Sequence, residues 1–169
     1  MTRRSTLQLS GQAMLFNFWL NEVLATQTTD DYMLWVAAPW VTNFRLPAPY
    51  HVAFTDVVAT RGDALQLFDV LGQIAANGGV VRIVVGDDTA YHPPLRQLAE
   101  RSSRIHVRRL PTLHAKAYAG RYGALTGSLN LTGSGVSRNA ELYEYHHDER
   151  GIAEVTERCR ELFERGVPL

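Results

Sequence analysis

Cysteine, lysine and long apolar runs are what this sequence has least of. Its single cysteine, Cys159, has no disulfide partner within the 169 residues, which excludes a disulfide-stapled secreted scaffold and fits a reducing compartment. The longest apolar stretch, Met33 to Val41, is about half the length that crosses a bilayer, so no membrane span is expected. Thr2-Arg3-Arg4 ahead of residues 13–20 has the outline of a twin-arginine export signal. However, Gln8, Gln12, Asn17 and Glu22 interrupt a segment that would have to be uniformly apolar. An amphipathic helix is the better expectation, with Ala13, Phe16, Leu20, Val23 and Leu24 on one face, in a cytoplasmic protein. Net charge is absent too: 17 basic and 17 acidic side chains cancel. That excludes a histone-like protein, an acidic disordered tail and a polycationic membrane binder.

What is present is unevenly placed. Residues 1–95 carry 5 basic and 8 acidic groups, residues 96–138 carry 8 and 1, and residues 139–169 carry 4 and 8. The middle block is a local attractor for anions. Sixteen of the 17 basic residues are arginine; the one lysine, Lys116, stands two residues after His114. The length and the apolar share of 46% suit one undivided domain over residues 1–169, with a helical segment in residues 1–30. A buried strand is expected over Tyr32 to Ala38, ended by Pro39. An irregular excursion follows to residue 61, with a short strand at Tyr50 to Phe54. Ala64, Leu67, Phe68, Leu71 and Ile74 then repeat at helical spacing, closed by Asn77-Gly78-Gly79. A strand follows over residues 80–85, a helix over residues 93–101 and a strand over residues 105–110. Helix and strand in such short alternation form the unit of a parallel α/β sheet.

From residue 110 the period becomes two. His114, Lys116 and Tyr118 then share one face of a strand and Ala115, Ala117 and Ala119 the other. The imidazole can serve as nucleophile or proton shuttle, and the ammonium can hold a phosphate oxygen. A second element, Gly127-Ser128-x-Asn130 with Thr132 after it, offers close backbone approach, hydrogen-bond donors and a helix start, and equally describes an ordinary turn and cap. A third, Asn139-x-Glu141, supplies a carboxylate able to orient the histidine, or is simply an alternating strand. A final helix is expected over residues 152–163.

In this order and spacing, His114-x-Lys116, Gly127-Ser128-x-Asn130 and Asn139-x-Glu141 resemble the phospholipase D superfamily. The motif region covers residues 110–145, and the likeness is to small bacterial members with one motif per chain. These include metal-independent nucleases and phospholipase-D-like subunits of anti-phage defence and DNA-modification systems, where a helicase or ATPase is the partner. The resemblance implies an α/β fold with a mixed, largely parallel sheet flanked by helices on both faces, and a phosphodiesterase that needs neither metal nor other cofactor. His114 is then nucleophile or general acid, Lys116, Ser128 and Asn130 hold phosphoryl oxygens, and Glu141 orients the imidazole. Because the family joins two motifs across one pocket and this chain has one, the resemblance implies a homodimer.

The expected substrate is the backbone of DNA or RNA, contacted by Gly127, Thr132, Asn139, Arg104, Arg108 and Arg109. A phospholipase or phosphatidyl transferase, and a degenerate module that binds nucleic acid or a partner, are the alternatives. One position departs from the family pattern: Arg121 stands where an aspartate, counted there as supporting structure, is usual.

Overall fold

The computed structural model describes residues 11–60 and 62–169. Thr2-Arg3-Arg4 and Gln8 of the weighed export signal lie outside the described residues. In chain order the elements are α1 (Gly11–Ala25), β1 (Met33–Ala37), a 3-10 helix (Tyr50–Phe54), α2 (Leu67–Ala76), β2 (Val80–Val85), a second 3-10 helix (Thr89–Tyr91) and α3 (His92–Glu100). Then come β3 (Ile105–Arg109), β4 (Ala117–Ala119), β5 (Ala124–Gly127), α4 (Gly133–Ser137), β6 (Tyr143–His146), α5 (Glu149–Arg165) and β7 (Val167–Pro168).

The strands form one sheet in the order β6-β5-β4-β1-β2-β3-β7. Mixed α/β class and helices on both faces are as expected, but the balance of directions is not. Among the strands of the described residues, β1 with β2 and β2 with β3 pair in parallel, and the flanking pairs are antiparallel. Helical crossovers connect β1 to β2 and β2 to β3, and parallel neighbours require such crossovers. From β4 to β6 the connections are a turn and a loop holding the five-residue α4, which is too short to carry the chain back along the sheet, so neighbours alternate in direction. The edge strand β7, two residues long, gave no periodic signal.

Alternation along the central strands builds two cores. Leu34, Val36, Val81, Ile83 and Tyr118 face a cluster with α1, α2 and α3, whereas Trp35, Ala37, Val84, Ala117 and Ala119 face α5 through Val155, Cys159 and Phe163. Burial pushes the Cys159 thiol up to about 12, which keeps it protonated and inert.

Three local expectations are corrected. Leu15, Phe18 and Trp19 of α1 are buried while Leu24 is exposed. The helix is covered on more than one side, by Tyr118 of the sheet against Trp19 and by Tyr50 stacked on Phe16, so its apolar residues do not form the single narrow stripe expected. Tyr50 to Phe54 is a 3-10 helix, not a strand: the Val52 and Thr55 amides donate to the carbonyls three residues before them, of Pro49 and Val52, and Val52, which a strand would place on the same face as the core-facing Tyr50 and Phe54, is exposed. Finally, the alternating strand at residues 113–118 pairs only from Ala117. His114 and Lys116 precede it in irregular backbone, beyond the last rung of the ladder.

Candidate active site

The registers decide where the motifs meet. Ala37, at the C-terminal end of β1, lies opposite Val84 and Ala117; Ala117 lies opposite Thr126, and Gly127 opposite Tyr143. The segment before β4, the segment after β5 and the segment before β6 therefore leave the sheet at the same end. Those segments carry His114 and Lys116, Ser128 and Asn130, and Asn139 and Glu141. Parallel order in the centre and antiparallel order at the side gather three separate motifs along one edge.

Hydrogen bonds tie the motifs together. The Gly127 amide donates to the Lys116 carbonyl at 3.2 Å, and the Ser128 amide to the Leu142 carbonyl at 3.1 Å. Gly127 is required by this crossing, since a Cβ there would collide with the Leu142 carbonyl oxygen. Ser128 Oγ donates to Glu141 Oε2 and accepts from the Leu142 amide at 3.1 Å. Asn139 Nδ2 donates to Glu141 Oε1 at 3.2 Å. Lys116 Nζ donates to the His114 carbonyl at 2.8 Å.

Above this network His114 is exposed. Among the described residues no hydrogen bond reaches its ring, so the expected bond from Glu141 to the imidazole is not formed. That carboxylate is occupied by Ser128 and Asn139. Asn130 Oδ1 is buried with no partner among the described residues. Beneath the site, Tyr118 Oη donates to the Leu129 carbonyl at 2.5 Å, and burial with the nearby Glu141 charge pushes the Tyr143 phenol up to about 12. Both phenols therefore stay neutral donors at physiological pH.

The remaining expected residues are scattered. Thr132 caps α4, its Oγ1 accepting from the Gly135 amide at 3.0 Å. Arg109 reaches the motif end of the sheet and pairs there with Asp87 at 2.7 Å. Arg104 stands at the opposite end, before β3, donating to the Gly78 carbonyl at 2.7 Å. Arg108 turns to the α5 face, where its guanidinium lies 4.6 Å over the Phe163 ring and donates to the Phe163 carbonyl at 3.2 Å. The basic block is contiguous in sequence but divided in space, because neighbouring strand residues point to opposite faces and a helix carries its own residues along the sheet.

Arg121 also lies away from the motifs, in the turn between β4 and β5. Its amide and that of Tyr122 donate to the Glu22 carboxylate at 2.7 and 3.1 Å, and Tyr32 Oη donates to the same group at 2.6 Å. A carboxylate thus supports this turn although position 121 supplies none. Sequence reasoning treated Glu22 only as a break in an apolar run; a lone acid among buried helix positions was the available signal. Trp40 was missed as well. It follows the strand-ending Pro39 and remains exposed at the motif end. Among the described residues, no group of three or more His, Cys, Asp or Glu is placed to hold a metal ion, and no helix is long and apolar enough to cross a membrane.

The model of the family described as "Cardiolipin synthase, PLD-like domain" matches residues 55–166. The chain belongs to the phospholipase-D-like family. A search of the curated proteins finds no match. Among solved structures, this phospholipase-D-like chain is similar to Nuc from Salmonella typhimurium, a phospholipase D family member, with a TM-score of 0.62 at 16% identity, over 90% of this chain and 89% of that one. It is similar to NucT from Helicobacter pylori, with a TM-score of 0.59 at 13% identity, over 92% and 94%. TrmBL2, an archaeal chromatin protein with a novel mode of DNA binding, has a TM-score of 0.58 at 12% identity; the match takes in 94% of this chain and 49% of that one. These likenesses establish the fold shared with the phospholipase-D-like family.

Proposed function

We propose that the chain is a metal-independent phosphodiesterase that hydrolyses DNA or RNA through a phosphohistidine, at a site completed by a second copy of itself. One observation carries the reading: the segments with His114, Lys116, Ser128, Asn130 and Glu141, spread over 28 residues, converge at one end of the sheet, with the His114 ring exposed and without a hydrogen bond among the described residues.

In this scheme an imidazole nitrogen of His114 attacks phosphorus and forms the phosphorus–nitrogen bond while the ester oxygen departs with a proton from His114 of the second copy. A water, deprotonated by that second imidazole, then attacks phosphorus, breaks the phosphorus–nitrogen bond and restores both histidines. Lys116 and Asn130 stabilise the charge that develops on the non-bridging oxygens. Swinging Lys116 from the His114 carbonyl to a phosphate exchanges a neutral partner for an anionic one, which strengthens the bond. Glu141, through its bonds to Ser128 and Asn139, keeps the loop after β5 against the start of β6, and so acts as a positioning residue. Arg109 at the same edge, and the DNA binding of the structural neighbour TrmBL2, support a nucleic-acid backbone over a lipid headgroup.

The test is hydrolysis of single- and double-stranded DNA and RNA in EDTA, beside phosphatidyl substrates in vesicles. Chelator-resistant cleavage of nucleic acid, lost in His114→Ala, is expected. Cleavage retained in His114→Ala removes the mechanism; headgroup release without cleavage of nucleic acid reverses the substrate. A strictly monomeric protein that remains active removes the shared site.

A further inference from the structure

The chain has three tryptophans. Trp19 and Trp35 are 1% and 5% exposed, whereas Trp40 is 42% exposed. Its position follows from backbone contacts on either side. The Pro39 carbonyl accepts from the Gly86 amide at 3.0 Å, and the Thr42 amide donates to the Leu131 carbonyl at 2.8 Å, with Val41 bridged to Leu131. Trp40 therefore stands between the loop that carries Ser128 and Asn130 and the loop that follows β2, at the edge where the motifs converge. Hydrogen-bonded backbone on both sides makes this a rigid mount.

The second loop brings Tyr91, whose ring centroid lies 6.3 Å from that of Trp40 with an interplanar angle of 39°. The two carboxylates of this loop are engaged, Asp87 with Arg109 at 2.7 Å and Asp88 with the Ala90 amide at 3.2 Å. What the loop adds to the edge is thus an aromatic pair with its acidic groups occupied. Aromatic faces beside a phosphate-holding site are the combination that binds single-stranded nucleic acid, since every base has a face to stack. A duplex keeps its base faces stacked inside and shows only base edges, sugars and phosphates, so it offers such a surface nothing to stack on.

We propose that Trp40, backed by Tyr91, is a stacking platform for an unpaired nucleobase beside the phosphodiester site, which makes single-stranded nucleic acid the preferred substrate. This rests on the nucleic-acid function proposed above and names its substrate class. The platform acts in binding and takes no part in bond breaking.

The experiment titrates the full chain carrying His114→Ala, so that ligands stay intact, with a single-stranded oligonucleotide, its duplex and an abasic oligomer of equal length. Tryptophan fluorescence is read beside an independent binding signal from labelled ligand. Because the other two indoles are buried, quenching reports Trp40. The single strand is expected to quench and the abasic oligomer not to. Trp40→Ala should lose the quench and about tenfold in affinity for the single strand, a drop in the range of one base–aromatic stack. Tyr122→Ala, an exposed aromatic in the turn at the opposite end of the sheet, should change neither. Single-strand binding without quenching, or undiminished in Trp40→Ala, overturns the platform and leaves the nuclease function standing. A shift of Trp40→Ala from dimer to monomer in sedimentation assigns the indole to an interface between copies and also overturns it. Failure of every nucleic acid to bind overturns both.

Discussion

The two ends of the sheet each join a carboxylate to a hydroxyl, and they do opposite things with them. At one end Glu22, fully buried, accepts from Tyr32 and from two amides of the β4–β5 turn. At the other, Glu141 accepts from Ser128 and Asn139 in a setting open to water, next to an exposed histidine. The Glu22 cluster is closed: Gly120 has no Cβ because one would collide with that carboxylate, so neither water nor ligand has room. An enclosed polar group must be fully satisfied and then serves stability; an open one can exchange partners and serve binding. Helix α1 joins the two ends, since Gln12 near its start donates to the Val136 carbonyl of α4 at 2.7 Å and Glu22 sits near its finish.

The contrast can be broken from either side. The largest effect is expected for His114→Ala, which should remove hydrolysis by about a thousandfold or more while leaving the urea midpoint unchanged, because the ring is exposed and unbonded. Glu22→Ala should do the reverse. It strands buried donors that each cost about 1–3 kcal/mol, so a loss of about 3 kcal/mol or more is expected in urea unfolding, with the site intact in the fraction that remains folded. Lys116→Arg comes next: a planar fork does not replace a compact ammonium, and cleavage should fall about tenfold. Full activity in that variant would mean that the isolation of the lone lysine carries no chemistry.

Smaller effects sharpen the comparison. Arg109→Ala should weaken oligonucleotide binding a few-fold and lower its salt slope by about one, whereas Arg104→Ala, at the far end, should leave both unchanged. The pH dependence of stability is the finest test. Burial raises the Glu22 carboxyl above its ordinary value, against the opposing hydrogen bonds from Tyr32 and the turn amides. Between the ordinary and the raised value the native chain holds that proton more tightly than the unfolded chain. Acidification from neutral pH through this window therefore adds stability through Glu22, and the cost of the buried charge is complete above it. Wild type should gain on Glu22→Gln as the pH falls through that range; parallel pH profiles for the two proteins would contradict the assignment.

Much of the fold was legible because it is local. The run Val80 to Val85, β-branched at every position but Arg82 and mostly buried, becomes β2 within its expected bounds. The repeat at Ala64, Leu67, Phe68, Leu71 and Ile74 becomes α2 only from Leu67, with Ala64 left in the irregular segment before the Gln66 cap, and Gly78 closes the helix at a φ of 99°. Tyr50 to Phe54 departs from the expected strand because five residues hold too little periodicity to separate a strand from a helical turn. At the site, the motif residues were recognised through their family spacing, and Gly127, Ser128, Asn139 and Glu141 lie in direct contact. Arg104 and Arg108 lie near the motif in sequence, but three-dimensional distance does not follow sequence distance.

The sequence by itself determined the family, the motif residues and the central helix–strand alternation, since periodicity, turn chemistry and motif spacing are properties of short stretches of chain. Only the tertiary structure decided that Glu141 holds Ser128 and not His114, that the positive block is split between faces and ends of the sheet, and that Trp40 stands exposed beside the site. Each of those depends on which strand neighbours which and in what direction, and register across a sheet is set by the packing of the whole domain.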